Sequence, residues 1–540
     1  MSALYNYGRG RARGYFGLGA GVMDLSPVLA ASTGSSARFT ASLSAGAKVF
    51  VTPRVALRFD GTYRLRASDS RVSTVLCGED GCKTFTTNFY SSAELTAGVS
   101  FRPGGELYGD VLSSMNREAE SRKRFWAAAG SVAFFDLGPW AFNRYVSNAE
   151  FAHISMDTVR ANFTAGFGYD RDSFKTDQSS HPFHGSLFFN SARSNGYTFW
   201  ESGLFAAAGS FVWECCLERE PPALNDLVNT TLGGMSRGEV LHRLATMLRD
   251  NTATGSGRFW RELGAGALDP AGFLTRLTRG ELGATGPNPD DRLPGAFRLE
   301  GDLGYRHVGG GASNPDQGLL SISVLYGDPF AGAMQKPFDS FTLGMDISVP
   351  AVPLMTRFDM RGILTGRELG DASASARHIL GVFMEYEYVD NQAQVFGAQI
   401  FSAGLLSRYA LKSGLSLSTN VAGTVFPLAG VGTTDFLNPL SGRSFDYGPG
   451  GGFRAAARLN RKGREIFSAG YGISWTHTLD GSSDNNTLQF FRATGRWPLG
   501  EKLGVGAGYS WYSRHSTYTG FFEGTKTQSE WRAFVSWNLL

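Results

Sequence analysis

The sequence predicts an all-β fold: an antiparallel transmembrane β-barrel of about 12–14 strands, with a helical insertion that plugs or caps its lumen. Three observations carry the prediction. From Phe297 onward, apolar residues recur at every second position. The intervening positions are rich in Gly, Ser, Thr and Arg, which suits a wet interior. Aromatic residues gather near segment ends, at Tyr305, Tyr326, Trp475, Trp497, Trp511, Trp531 and Trp537, as in the interfacial girdles of membrane barrels.

Composition narrows the field. Of 540 residues, 70 are Gly and only 18% are charged, against about 25% in an average soluble domain. Disorder would need low hydrophobicity with high net charge, and the net charge is +3. The 51 basic residues face 48 acidic ones, so no nucleic-acid partner is expected. No run of about 18 apolar residues marks a membrane-spanning helix.

The chain begins MSALYNYGRGRARGYFG, which is basic but has neither the apolar core nor the cleavage site of a signal peptide. An exported barrel needs one, so the start reads as truncated or misassigned. Residues 1–105 alternate over Phe39–Val49, Val55–Tyr63 and Ala93–Phe101, with a further strand near Tyr15–Val22. This partial barrel-like segment resembles the closing half of a small outer-membrane barrel. About four strands cannot close alone, so either upstream sequence pairs with them or the start is misplaced. Cys77 and Cys82, in VLCGEDGCKTF, are a disulfide candidate at a loop tip. Residues 106–125 lose the alternation, carry mixed charge and read as a linker.

Residues 126–296 differ in character. One strand is expected at Val159–Tyr169, where Ala161, Phe163, Ala165 and Phe167 alternate with polar or small residues. Alternation then vanishes. Leu224, Leu227, Val228 and Leu232 fall at helical spacing, as do Val240, Leu241, Leu244 and Leu248. Gly234 and Gly238 would let another backbone approach. DPAGFLTRLTRG should start a helix with Asp269 as N-cap and Pro270 at N1. Cys215 and Cys216 are too constrained as neighbours to bridge without strain and read as small hydrophobes.

Polar residues concentrate here. A polar luminal site is expected from His181, Arg193, Asn195, Glu214, Asp226 and Glu239, tied by ion pairs and hydrogen bonds because buried charge is costly unpaired. A catalytic alternative takes His184 as base, Ser186 as nucleophile and Glu201 as orienter, for hydrolysis of a lipid acyl ester. His181, His184 and Glu201 also have metal-ligand types, but Pro182 weakens a helical pairing of the two histidines. No metal site and no cofactor is expected.

The run HPFHGSLFFNSARSNGYTFWES, then a WE pair, PPALNDLVNTTLGG and RGEVLHRL, resembles bacterial domain-of-unknown-function family 3943 over roughly Trp140–Asp250. Ala223 stands where a small capping hydroxyl residue would be expected. The resemblance implies an outer-membrane barrel protein and no particular chemistry.

The remaining strands are expected at Phe297–His307, Leu320–Tyr326, Phe341–Val349, Thr356–Leu364, Val382–Tyr388, Val395–Ala403, Leu415–Val425, Phe453–Leu459, Phe467–Trp475, Phe491–Trp497, Leu503–Trp511 and Trp531–Leu539. The expected role is transport or envelope structure in the bacterial outer membrane. Membrane lipids are the expected partners, with the barrel-assembly machinery during insertion. The rivals are the lipid hydrolase and a soluble β-rich binding protein, whose Phe, Leu and Trp residues would point inward.

Overall fold

Every one of the twelve alternating segments after residue 296 is a strand. A computed structural model of the chain describes residues 2–7, 12–25, 36–52, 55–78, 81–101, 123–289, 292–310, 312, 315–332, 336–351, 353–370, 375–433, 443–518 and 523–539. The twelve strands are β6 (Phe297–Val308), β7 (Asp316–Tyr326), β8 (Phe341–Val349), β9 (Met355–Leu369), β10 (Ala376–Asp390), β11 (Val395–Ala410), β12 (Leu415–Gly432), β13 (Phe445–Arg461), β14 (Arg464–His477), β15 (Asn485–Pro498), β16 (Leu503–Thr517) and β17 (Gly524–Asn538). Neighbours pair antiparallel in sequence order, and β17 pairs with β6 to close the barrel. Closure leaves no unpaired strand edge.

The barrel is polar inside and apolar outside. On β6, Leu303 is 54% exposed on the outer wall while Arg306 is 1% exposed in the lumen. Leu380, Val382, Val421, Phe453, Trp475 and Trp531 also face outward. This is the reverse of a soluble barrel, so the soluble binding-protein expectation fails on the direction of its apolar set. The lumen is braced across. Arg454 of β13 reaches Glu385 of β10 at 3.1 Å, Arg532 of β17 reaches Asp346 of β8 at 2.9 Å, and Arg496 of β15 reaches Asp302 of β6 at 3.0 Å. Each link skips two intervening strands.

Among the described residues the helices are α1 (Phe125–Tyr145), α2 (Met156–Ala165), α3 (His181–Arg193), α4 (Phe199–Val212), α5 (Leu224–Val228), α6 (Gly234–Leu248), α7 (Gly255–Leu268) and α8 (Pro270–Thr278). Two expectations need correction here. The strand expected at Val159–Tyr169 is instead largely α2. Ser155 and Thr158 cap it reciprocally, each side-chain oxygen accepting the other's backbone N–H, and this local cap overrides the alternation. No other strand element interrupts the described residues between Phe125 and Phe297.

The second correction concerns the plug. The helices lie against the outer wall of the barrel, not in its lumen. Tyr386 lies between Glu385 and Glu387, both of which pair with luminal Arg454, so its side chain points outward. Its hydroxyl donates to the Gln178 carbonyl. Phe358 and Met360 of β9 and Met384 and Tyr388 of β10 share that outward phase, and they form one core with Phe188, Phe189, Phe199 and Met235 of the helices. The lumen holds the barrel's own inward side chains, among them an apolar cluster of Phe396, Ile400, Phe426 and Leu488.

The chain divides into two units, Met1–Arg117 with Thr164–Gly168, and Glu118–Phe163 with Tyr169–Leu540. Among its described residues the first has five antiparallel strands, against the about four expected: β1 (Ser2–Tyr7), β2 (Ala12–Leu25), β3 (Ser36–Thr52), β4 (Val55–Gly78) and β5 (Gly81–Phe101), in that order. Its inversion matches that of the barrel. Leu43, Phe59 and Tyr63 are exposed, while Tyr15 and Asp60 are buried on the other face, where the Tyr15 hydroxyl donates to Asp60. Cys77 and Cys82 are in register across β4 and β5, and their side chains lie outside the described ones. The linker expected at 106–125 falls mostly outside the described residues.

Within the helical module α3 meets α6 backbone to backbone. A Cβ on Gly185 would stand 1.8 Å from the Thr230 carbonyl oxygen, and one on Gly234 would stand 2.4 Å from the Gly185 carbonyl carbon. Gly185→Val should therefore force the helices apart, costing at least about 1–3 kcal/mol. The expected outcome is loss of circular-dichroism signal at 222 nm while the barrel keeps its heat-modifiable migration.

Candidate functional site

α3 organises two polar clusters, one at each end. Its 13 residues carry His181 at the first position and Arg193 at the last. The first cluster also draws on π-helical turns, wide turns that recur at functional sites. Asp177 sits in the turn Thr176–Ser180 and Glu214 in Trp213–Leu217, while Asp226 lies on α5, just before Asn229–Gly233.

His181 Nε2 is 3.3 Å from Asp226 Oδ1 and 3.8 Å from Asp172 Oδ2. Asn225 Nδ2 donates to Asp170 Oδ1 at 2.7 Å and to Asp226 Oδ1 at 2.8 Å. Tyr447, from β13, donates to Asp177 Oδ2 at 2.5 Å. Glu214 Oε2 accepts the Ala223 N–H at 2.9 Å. Arg443, ahead of β13, donates to the Asp170 carbonyl. The cluster thus joins the helices to the barrel wall.

Its carboxylates are crowded and dry. Burial pushes Asp177, Glu214 and Asp226 well above the usual carboxylate range, and neighbouring acids add to the push. Burial also lifts Glu218 to about 7. For His181 burial opposes the charge. The neighbouring carboxylates of Asp172, Glu214, Asp177 and Asp170 outweigh it and raise the ring to about 9. Burial thus disfavours ionisation of these carboxyls, while the same neighbours favour a charged His181 ring. Oxygens of Asp170, Asp177 and Asp226 lie within 4.8 Å of one another, as do ligand atoms of Asp172, Asp177 and His181. That set has the donor chemistry of a hard cation, and within it Asp177 Oδ1 and His181 Nε2 have no hydrogen-bond partner.

The second cluster centres on Glu239 of α6. Arg193 grips it through two bonds, at 2.7 and 3.0 Å, and Arg243 adds a third at 2.8 Å. These guanidiniums overcome burial and hold Glu239 down at about 2. Arg243 continues to Asp339, in the β7–β8 connection, at 3.2 Å. Asn195 accepts from Arg279 at 2.7 Å and donates to the Ser191 carbonyl at 2.8 Å.

The six residues expected to form one luminal site thus divide between two clusters outside the lumen, except that Asn195 belongs to neither and ties α3 to α8. The sequence reading passed over Asp170, Asp172, Asp177, Glu218 and Tyr447. The spacing Asp170, Asp172, Asp177 just before α3 was the available signal, and the strand assignment next to it hid it.

The candidate catalytic trio is not hydrogen-bonded together. His184 Nε2 contacts the Phe135 carbonyl at 2.9 Å, and burial lowers its pKa to about 4. Ser186 donates to the Phe183 carbonyl at 2.6 Å. Glu201 closes the capping box of α4 with Thr198 and pairs with Lys123 at 2.6 Å. Cys215 and Cys216 are free thiols, and burial pushes Cys215 up to about 12.

With both clusters placed, the region can be compared with known proteins. Residues 166–271 match the model of a domain of unknown function (DUF3943). The match runs from just before the first acid of the cluster into α8, so the helical members of both clusters fall within the matched residues. No curated protein matches the chain. Among solved structures, the NanC porin is similar over 45% of this chain and 100% of its own, at 10% identity and a TM-score of 0.25. The KdgM porin in complex with disordered oligogalacturonate aligns over 45% and 99%, at 9% identity and 0.22. The anion-selective porin from Comamonas acidovorans aligns over 45% and 99%, at 7% identity and 0.19.

The cluster sets a pH dependence with a definite sign. The folded pKa of His181, about 9, lies above its ordinary 6.5. Its stabilisation is complete below 6.5 and is lost as pH rises through about 9. Glu218, raised to about 7, favours the fold in its protonated form and loses that contribution over a lower window. The melting temperature followed at 222 nm should therefore fall by several degrees between pH 5 and pH 9.5. Asp172→Asn should shrink the part of that fall above pH 7, because Asp172 contributes most to holding the His181 ring charged.

Proposed function

We propose that the chain is an outer-membrane β-barrel that holds its DUF3943 module at the membrane, with a structural role in the envelope in place of open transport. One observation carries the reading: oppositely charged side chains join across the lumen. Arg454, Arg361, Glu385 and Glu387 make one such brace, and Arg306, Glu530, Arg532 and Asp346 make another. Buried ion pairs of this kind are held in fixed geometry by further hydrogen bonds. Arg514 of β16 adds a bond to the Gly432 carbonyl of β12. Beside it lies a cavity of about 110 Å³ lined by Gln394, Leu488, Tyr512, Arg514 and Lys526.

The outward apolar wall and inward charge support a bilayer location, because only a closed barrel or a helix satisfies its backbone within lipid. Membrane lipids are then the obligatory partners, and insertion falls to the barrel-assembly machinery. The hydrolase reading loses support because His184, Ser186 and Glu201 are each committed to local bonds.

Planar-bilayer recording tests the reading. The purified chain should conduct well below an open barrel of twelve strands, and Arg454→Ala with Glu385→Ala should raise the conductance. Steady, wide conductance from the unaltered protein would overturn the proposal.

A further inference from the structure

The helical module covers part of the barrel's outer wall, so its own far side inherits the medium that the wall would have met. α6 lies against β9 and β10, α3 packs on α6, and α1 and α4 pack on α3. The outer helices are nearly free of charge. Between Arg124 and Arg144, α1 has Asp136 as its single ionisable residue. Asp136 is 3% exposed. In α4 the single charge is Glu201, in the first turn.

Their outward residues are large and apolar. Trp126, Phe134, Leu137 and Phe142 of α1 and Leu204 and Phe211 of α4 are all exposed. The two helices meet where the Phe125 and Phe205 ring centroids lie 6.0 Å apart. A water-facing helix would put polar residues here, and a contiguous apolar face this large marks contact with a non-aqueous partner. The wall left uncovered on β10 and β11 is also apolar and exposed, at Leu380, Val382 and Leu405. No helix among the described residues is long and apolar enough to cross a membrane.

We propose that the α1–α4 face is a lipid contact: the module lies beside the barrel within the hydrocarbon layer, and the acyl chains of membrane lipids cover it. The proposal rests on the barrel spanning a bilayer. α1 and α4 then act as lateral extensions of the wall, shielding the two polar clusters from lipid much as the strands shield the luminal charges.

Nitroxide accessibility tests it. In the full chain, with its four cysteines replaced by Ser, single cysteines at Phe134, Phe211, Leu380 and Glu523 are spin-labelled and the protein is reconstituted in phosphatidylcholine–phosphatidylglycerol vesicles. Labels at 134 and 211 should match 380, favouring collision with oxygen over a water-soluble nickel chelate by several-fold, while 523 shows the reverse. If 134 and 211 behave like 523 while 380 faces lipid, the proposal fails and the barrel reading stands. If 380 also behaves like 523, the barrel reading itself fails. The unaltered protein gives a second measurement through a phospholipid bearing a photoreactive acyl chain. Adducts should map to 125–145 and 199–212, and adducts confined to barrel strands would overturn the proposal.

Discussion

An enclosed ladder of backbone hydrogen bonds is the constraint on which the rest depends. In hydrocarbon an unpaired N–H or C=O costs several kcal/mol. The strand pair β17–β6 closes the ladder, with Arg532 opposite Arg306 and Phe534 opposite Gly304. Once closed, each strand has two faces with opposite demands. The outer face must be apolar, and the inner face must neutralise whatever charge it holds. Arg306, Glu530, Arg532 and Asp346 meet the second demand by pairing with one another. The same closure explains why small residues are common. Gly304, for example, has no room for a Cβ beside Phe534.

The barrel was legible because a period of two has a single structural meaning when it recurs over strand after strand. Each expected segment from Phe297 onward overlaps one strand. The pattern failed at Val159–Tyr169, where four apolar residues alternated by coincidence. The deciding signal was the Ser155–Thr158 pair just upstream, a capping arrangement that fixes a helix start before any periodicity is established. Short alternation without a matching turn chemistry is weak evidence for a strand.

The placement of the helices was less legible, because alternation states which residues point outward and not what they meet. Leu380, Val382, Met384, Tyr386 and Tyr388 follow one phase on β10, yet the first two are exposed and the last three are fully buried. One residue on β11 did contain a clue. Gln399 lies in the outward phase, where lipid would leave its amide unsatisfied. It is fully buried, and a Cβ on Gly233 would lie 2.9 Å from its amide nitrogen. A polar residue in the outward phase marks protein cover, and here the helical segment covers it although neither amide atom finds a hydrogen-bond partner there.

That cover explains why the acid cluster is where it is. A module laid on an apolar wall gains burial but little direction, since hydrophobic contact is non-directional. Tyr447 on Asp177 and Arg443 on the Asp170 carbonyl supply direction at one end. Arg243 on Asp339 supplies it at the other, on the β7–β8 connection. Two polar fasteners separated by the length of α3 fix both position and rotation, which one cluster alone could not do. Their ionic states differ accordingly. Glu239, held between two arginines, stays charged at any physiological pH, whereas the group around His181 exchanges protons. Of the two fasteners, the one that joins the DUF3943 module to β13 is therefore the one that acidity can tighten and alkalinity can loosen.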